Sequence, residues 1–211
     1  MQVFPTKGNL IAMKRSLSLA LLGYDLLDRK RNILIHELMT LVDKAAQLRA
    51  SIEDTYKDAY ADLMQANISL GLITPYAESI PIENGLSLTS KSVMGVELPR
   101  VSLDAQELDI NYGFLNTTSQ LDRAYLAFDK VKKTTVMLAE VENSIYRLSV
   151  AIRKTQKRAN ALQNIIIPRD SAAVKFISDS LEEKEREEFS RLKVIKAVKL
   201  KRQRPLDKKE D

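Results

Sequence analysis

The stretch LDRKRNILIHELMTLVDKAAQL, residues 27–48, decides the fold class of this chain. Apolar side chains recur in it by alternating steps of three and four residues, which is the spacing of a coiled-coil seam. Neither glycine nor proline interrupts the stretch, so the sequence predicts one continuous amphipathic helix. The leucines at its seam positions are Leu27, Leu34, Leu38, Leu41 and Leu48.

The same spacing continues in both directions from this stretch. It passes through Leu17 toward the N-terminus and, after one phase slip, reaches Leu70. Between Pro5 and Pro75 the chain has no proline and only three glycines. We therefore expect residues 1–72 to hold one long helix, about 100 Å in length at 1.5 Å per residue.

A second seam begins after Ser119 and predicts another long helix within residues 119–211. Pro168 lies inside this pattern and is expected to kink the helix, because proline removes a backbone hydrogen bond. Two amphipathic helices joined by a chain reversal bury their seams against each other in antiparallel orientation. The second seam includes Ile145, Leu148, Ile152 and Leu162.

The segment between the helices, residues 73–118, has a different composition. It contains six acidic and two basic residues, a net charge of −4, and three of the six prolines. Apolar residues on either side of Ser90–Ser92 predict a short β-hairpin with its turn there. Four hairpin residues are candidates for contact: Val93, Met94, Val96 and Leu98. The predicted fold is mainly α, a long antiparallel two-helix coiled coil with this hairpin as an insert.

The composition excludes most catalytic chemistry. The chain has no cysteine and a single histidine, His36, so disulfides, thiolate metal sites and histidine pairs cannot form within it. It also lacks a glycine-rich phosphate loop and a nucleophile elbow. The acidic residues between 182 and 188 are interpreted as a solvated helix face. We expect no catalytic, cofactor or metal site.

The longest apolar runs, such as residues 19–22, are far shorter than the ~20 residues that span a bilayer. The N-terminus lacks the basic and apolar regions of a secretory signal. The expectation is an intracellular protein without a transmembrane helix of its own.

Basic residues concentrate near the C-terminus, with seven between positions 191 and 204 and no acidic residue among them. Three interpretations are open: nucleic-acid binding, a solvated helix end, or insertion into an acidic protein cavity. Interspersed apolar residues such as Leu192 and Ile195 favour contact with protein. Antiparallel helices bring the chain ends together, so one predicted contact surface comprises Lys7, Lys14, Arg15, Arg191, Lys193 and Lys196.

Several segments resemble the D subunit, the central rotor shaft, of V-type and A-type rotary ATPases, and the resemblance covers nearly the whole chain. An interior proline and a hairpin at matching places are more specific than heptads. The segments are GYDLLDRKR (residues 23–31), SVMGVELP (92–99), RANAL (158–162), IIPR (166–169) and EREEFSRLK (185–193).

The resemblance implies a non-catalytic shaft that transmits torque between a catalytic ring, which hydrolyses or makes ATP, and an ion-translocating membrane ring. It implies as partners the catalytic and nucleotide-binding subunits, the small companion F subunit of the stalk and a socket subunit above the membrane ring. It also implies a cytoplasmic location, membrane association only through partners and no direct nucleic-acid contact. The basic surface would face the catalytic ring, and the hairpin would tune turnover or contact a partner.

Two other functions stay open at this point. One is a coiled-coil nucleic-acid-binding protein that uses the basic C-terminal run, and the other is a generic structural tether. The transported ion and the direction of operation are properties of other subunits.

Overall fold

The computed structural model describes residues 4–80, 82–103, 112–113 and 117–203. Within them the chain is mainly α with one small antiparallel sheet, so the predicted fold class is confirmed. In chain order the elements are α1 (Lys7–Leu70), α2 (Thr74–Glu78), β1 (Leu86–Val93), β2 (Val96–Leu103), α3 (Ser119–Ala161), a π-turn (Leu162–Ile166) and α4 (Ile167–Gln203).

The chain divides into two compact units. The first consists of Met1–Asp28 and Gln156–Asp211, and the second of Arg29–Thr155. Helices α1 and α3 each contribute to both units. The predicted division at residues 72 and 118 stays a prediction. Residues 104–111 and 114–116 of the predicted insert, and Arg204 of the basic run, lie outside the described residues.

Helix α1 turns its predicted seam inward along its length. The reason is periodicity, because steps of three and four residues keep side chains on one face of an α-helix. Leu34 is fully buried, and Leu17, Leu27, Leu38, Leu41 and Leu48 are half-buried. On α3, Leu148 is fully buried and Ile145 and Ile152 are half-buried, as is Leu162 of the π-turn.

In the second unit, α1 and α3 pack in antiparallel orientation. Arg49 binds the Glu142 carboxylate at 2.7 Å, and farther along α1 Asp62 lies 3.6 Å from Arg123. Higher residue numbers on α1 therefore pair with lower residue numbers on α3, which is the antiparallel arrangement. These ion pairs are largely exposed, so the buried seam, rather than the charges, accounts for most of the stabilisation.

The β-hairpin of the second unit packs on this helix pair through its second strand. Leu98 of β2 is buried together with Leu34 of α1 and Leu148 of α3, and these three side chains form one hydrophobic cluster. Two polar contacts hold the strand in place. Arg147 donates to the carbonyl oxygen of Glu97 at 3.1 Å, and the Val101 N–H donates to Glu140 at 2.8 Å. The hairpin is therefore held against the helices by both apolar packing and hydrogen bonds.

The predicted position of the hairpin turn is wrong. Ser90–Ser92 belongs to β1, and the turn consists of Met94 and Gly95, between the paired residues Val93 and Val96. Both turn residues have positive φ, 50° for Met94 and 75° for Gly95. A two-residue turn of this kind matches the twist of the strands, and glycine adopts it without strain. The sequence signal for the turn is therefore Gly95, and the polar residues before it pair within the sheet.

In the first unit, α1 pairs with α4, again in antiparallel orientation. Lys7 contacts Glu185 at 3.0 Å, and Ser16 contacts Asp170 at 2.9 Å. Ile177, between these two positions on α4, is fully buried.

Just before Pro168 the helix adopts a π-turn, in which the Ile167 N–H bonds to the carbonyl oxygen of Leu162, five residues back. A π-turn inserts one extra residue into the helix and shifts every later side chain around the axis. Seam steps of three and four from Leu162 lead to Arg169, but the buried residue is Asp170. At the interruption predicted for the proline, the structure has a π-turn that rotates the buried face of the helix by one residue.

We expect Leu148→Ala to lower the free energy of unfolding by about 2–5 kcal/mol, because it leaves a cavity in the cluster beneath the hairpin. Leu126→Ala on the same helix is the matched control, since Leu126 is 50% exposed, and its change should stay under about 1 kcal/mol. Urea denaturation followed by circular dichroism measures both. Equal losses in the two variants would contradict the assignment of this core.

Candidate functional site

The most unusual surface in the first unit is the C-terminal extension, residues 182–201 of α4. Every side chain in it is exposed. Exposed apolar side chains in such density mark a site of contact with another molecule. The large ones are Phe189, Leu192, Val194, Ile195, Val198 and Leu200, between 45% and 70% exposed.

The extension is exposed because α4 continues past the first residue of α1. Helix α1 begins at Lys7, which pairs with Glu185, whereas α4 runs on to Gln203. The remainder of α4 is about 27 Å long at 1.5 Å per residue. Within the described residues of this unit, no second helix lies beside its apolar side chains.

Apolar residues point in all directions around the extension. At about 100° per residue, Val198 lies opposite Phe189, and Val194 lies nearly opposite Leu192. A helix that rests on one surface carries a single apolar stripe, whereas a helix that is apolar all round is suited to burial on all sides. The extension is suited to enclosure by protein.

The charges of the extension divide into an acidic and a basic part. Some of the acidic side chains between 182 and 188 form ion pairs within the helix; Glu187, for example, lies 3.6 Å from Arg191. Beyond them no acidic residue occurs up to Lys201. The predicted surface residues Lys7, Lys14, Arg15, Arg191, Lys193 and Lys196 all lie in the first unit and are exposed. The bond to Glu185 raises the pKa of Lys7.

The hairpin residues predicted for contact divide into two groups. Val93, Val96 and Leu98 face the helices of the second unit, whereas Met94 at the turn is 46% exposed. Leu88 on β1 is 70% exposed. The surface that the hairpin presents to a partner therefore includes Met94 and Leu88, and a partner contact of the other three residues stays a prediction.

A cluster of charges ties the segment before the hairpin to α3. Lys132 contacts Glu83 at 2.8 Å and Asp129 at 3.2 Å, and Lys133 contacts Asp129 at 2.6 Å. The hydrogen bond from Lys132 lowers the pKa of Glu83. Burial by itself would raise the pKa of Asp129, but hydrogen bonds from Lys133 and Lys132 outweigh it, so that pKa is lowered too.

Sequence reasoning missed two polar sites. Asp170 is completely buried in the first unit, and in the second the Tyr112 hydroxyl donates to Asp122 at 2.6 Å. Burial, with that hydrogen bond, raises the pKa of Tyr112. The signal for Asp170 was available, because a proline in a seam pattern warns that the heptad count changes after it.

Among the described residues, no three histidine, cysteine or acidic side chains are arranged to hold a metal ion. In that same part of the chain, no helix combines the length and the apolar character that crossing a membrane requires.

Comparisons with known proteins agree over most of the chain. The family model for the ATP synthase D subunit matches residues 9–197. The V-type ATP synthase D subunit of Thermotoga neapolitana is 44% identical over 198 residues, which cover 93% of this chain and 98% of that protein. The A-type ATP synthase D subunit of Pyrococcus abyssi is 36% identical over 203 residues, covering 94% and 95%.

The charge cluster at Lys132 predicts acid sensitivity of the second unit. Because the pKa values of Glu83 and Asp129 are lowered in the folded state, the unfolded state binds more protons in acid, and stability falls as the pH drops below about 5. Lys132→Met should flatten this dependence in urea unfolding between pH 6 and pH 3. Lys130→Met, on the same helix, is the control and should keep the wild-type slope. Equal slopes in wild type and Lys132→Met would refute the prediction.

Proposed function

The chain belongs to the family of ATP synthase D subunits, and from this we propose that it is a non-catalytic central-stalk subunit of a V/A-type ATPase. In this role it transmits torque between the ring that hydrolyses or makes ATP and the ring that translocates ions through the membrane. It binds no cofactor and forms no bonds in the reaction.

The observation that carries the proposal is the C-terminal extension. An exposed helix with apolar and basic side chains in all directions is suited to a surrounding acidic or mixed protein cavity. The centre of a ring of catalytic and nucleotide-binding subunits offers such a cavity. An extended nucleic acid would satisfy the lysines but would leave the apolar side chains in contact with water.

A single shaft inside a ring contacts equivalent subunits differently. Each catalytic site then has a different binding free energy for its nucleotide, which shifts its conformational population. Rotation of the shaft passes these states from one site to the next. Antiparallel helix packing within each unit, as at Leu34 and Leu148 in one and Ile177 in the other, resists dissipation of the applied twist.

The remaining partners follow from the same assignment. They are the small companion F subunit beside the helices and a socket subunit above the membrane ring. The protein is then cytoplasmic and is attached to the membrane only through these partners.

Neutralising the basic part of the extension tests the proposal. The triple variant Arg191→Gln, Lys193→Gln, Lys196→Gln should bind the catalytic ring about tenfold more weakly at low salt and show a smaller salt dependence, because each exposed ion pair contributes up to about 1 kcal/mol. Fluorescence titration of the full chain against the purified ring measures the Kd.

A matched control neutralises three exposed lysines of the second unit, Lys44→Gln, Lys130→Gln and Lys154→Gln, and should leave this Kd unchanged. Salt-dependent binding that is the same in the extension variant and the wild type would argue against the proposal. Elution of the chain with nuclease-sensitive material instead of ATPase subunits would point to the nucleic-acid alternative.

The hairpin is expected to tune turnover or contact a partner through its exposed residues. Leu88→Ser with Met94→Ser should change the ATPase rate of the assembled complex, or the affinity for a partner subunit, by about twofold or more. Both side chains are exposed, so thermal stability should change little. If rate and affinity both equal the wild-type values, the hairpin has neither role.

A further inference from the structure

We propose that a second surface of the first unit, the outward stripe, is a docking face for an acidic protein partner. The stripe consists of Ile165, Arg169, Ala172 and Phe176, and Arg169 at its centre binds a carboxylate of that partner. This inference deepens the proposed function and rests on it, because it assigns ring contact to residues outside the C-terminal extension.

The four residues share one side of the helix. They are separated by steps of four, three and four residues, the spacing that places helix anchors in a partner's groove. All four are exposed, Ile165 by 63% and Phe176 by 58%. An arginine between two large apolar contacts is the composition found at the centres of protein interfaces.

The π-turn creates this stripe. Without its extra residue, the seam would continue from Leu162 through Arg169 to Phe176, and both would turn toward α1. With it, Asp170 and Ile177 are buried instead, at 0% exposure each, while Arg169 and Phe176 turn outward. The phase change exchanges Arg169 for Asp170 and Phe176 for Ile177 at the buried positions, so it still leaves a charged side chain in the core. π-turns occur frequently at functional sites, and a docking function accounts for this one.

The buried Asp170 holds Arg169 in a fixed position. The Ser16 hydroxyl donates to one carboxylate oxygen of Asp170 at 2.9 Å. The Arg169 Nε and Nη2 atoms donate to the other, at 3.0 Å and 2.9 Å. Two of the five guanidinium N–H donors serve this contact, and the side chain is 60% exposed. The guanidinium is thus ordered before a partner arrives, which reduces the entropy lost on binding.

The surrounding charge selects an acidic partner. Over residues 14–24 and 156–178, which flank the stripe in the first unit, the only acidic residue is the buried Asp170, and the exposed Asp179 follows one turn after Phe176. The basic side chains there, besides Arg169, are Lys14, Arg15, Lys157, Arg158 and Lys175. Carboxylates fit the forked guanidinium in bidentate geometry. Ile165 and Phe176 on the same side favour protein over nucleic acid, because a phosphate backbone offers them no apolar contact.

The full chain and the purified ring of catalytic and nucleotide-binding subunits provide the test, with the Kd measured by titration. Arg169→Ala should weaken binding about tenfold, as loss of a partly buried charged contact does. Arg169→Lys should be nearly as weak, since an ammonium cannot form the forked contact. Phe176→Ala should weaken binding about threefold or more. Lys154→Ala, at an exposed lysine of the second unit, is the control and should bind like the wild type.

Asp170→Asn tests whether Asp170 positions Arg169. It retains an acceptor for Ser16 but loses the charge that holds the guanidinium, so binding should weaken by about threefold. In an Arg169→Ala background it should have no further effect on the Kd. A purely structural role would instead lower the melting temperature and affect the Kd equally in both backgrounds.

Each outcome decides a separate question. Wild-type binding to the ring together with an unchanged Kd for Arg169→Ala overturns the docking face and leaves the proposed function intact. No binding by the wild type overturns both. If Arg169→Ala abolishes retention of a single-stranded RNA while the ring Kd stays the same, the stripe binds phosphate and the acidic-protein inference is wrong.

Discussion

Burial of an apolar seam between antiparallel helices is the constraint on which the rest of this structure depends. Neither long helix can shield its seam from water alone, so each unit pairs α1 with a helix of opposite direction. The hairpin packs against the same seam, because Leu98 forms one hydrophobic cluster with Leu34 and Leu148. Past Lys7, where α1 begins, the described residues place no second helix beside α4, which continues with its apolar side chains exposed. A surface suited to a partner is therefore the direct result of unequal helix lengths.

The π-turn at Leu162–Ile166 changes the phase of the seam in the second long helix. Proline explains why a regular α-helix is interrupted near residue 168, since its ring crowds the preceding turn and it has no N–H to donate. It does not explain why the extra residue brings a carboxylate inward. Burying a charge is unfavourable unless it is paired, and here Ser16 and Arg169 supply the pairing. Such polar groups in a seam are known chiefly for specifying geometry rather than adding stability.

Much of the fold could be predicted because helices and strands are encoded locally. The spacing around Leu34 and Leu148 predicted both long helices, and the family resemblance agreed with the comparisons over nearly the whole chain. The hairpin was predicted but its turn was misplaced, because Gly95 was weighed less than the polar residues before it. For the candidate site, the run of basic residues after position 190 was visible at once. The burial of Asp170 was not predicted, because Pro168 signals that the heptad count changes but not which residue is buried after the change.

The sequence by itself determined the helices, their seams, the presence of a hairpin and the charge of the C-terminal extension. These follow from spacing and composition within a few turns of chain, where periodicity alone settles which side chains share a face. Only the tertiary structure decided which residues meet across the molecule, such as Ser16 with Asp170 or Arg49 with Glu142. Those pairs are far apart in sequence, and their contact depends on where the helices start, end and change phase. The exposure of the extension was decided in the same way, since apolar side chains on a helix are buried only where a partner helix reaches them.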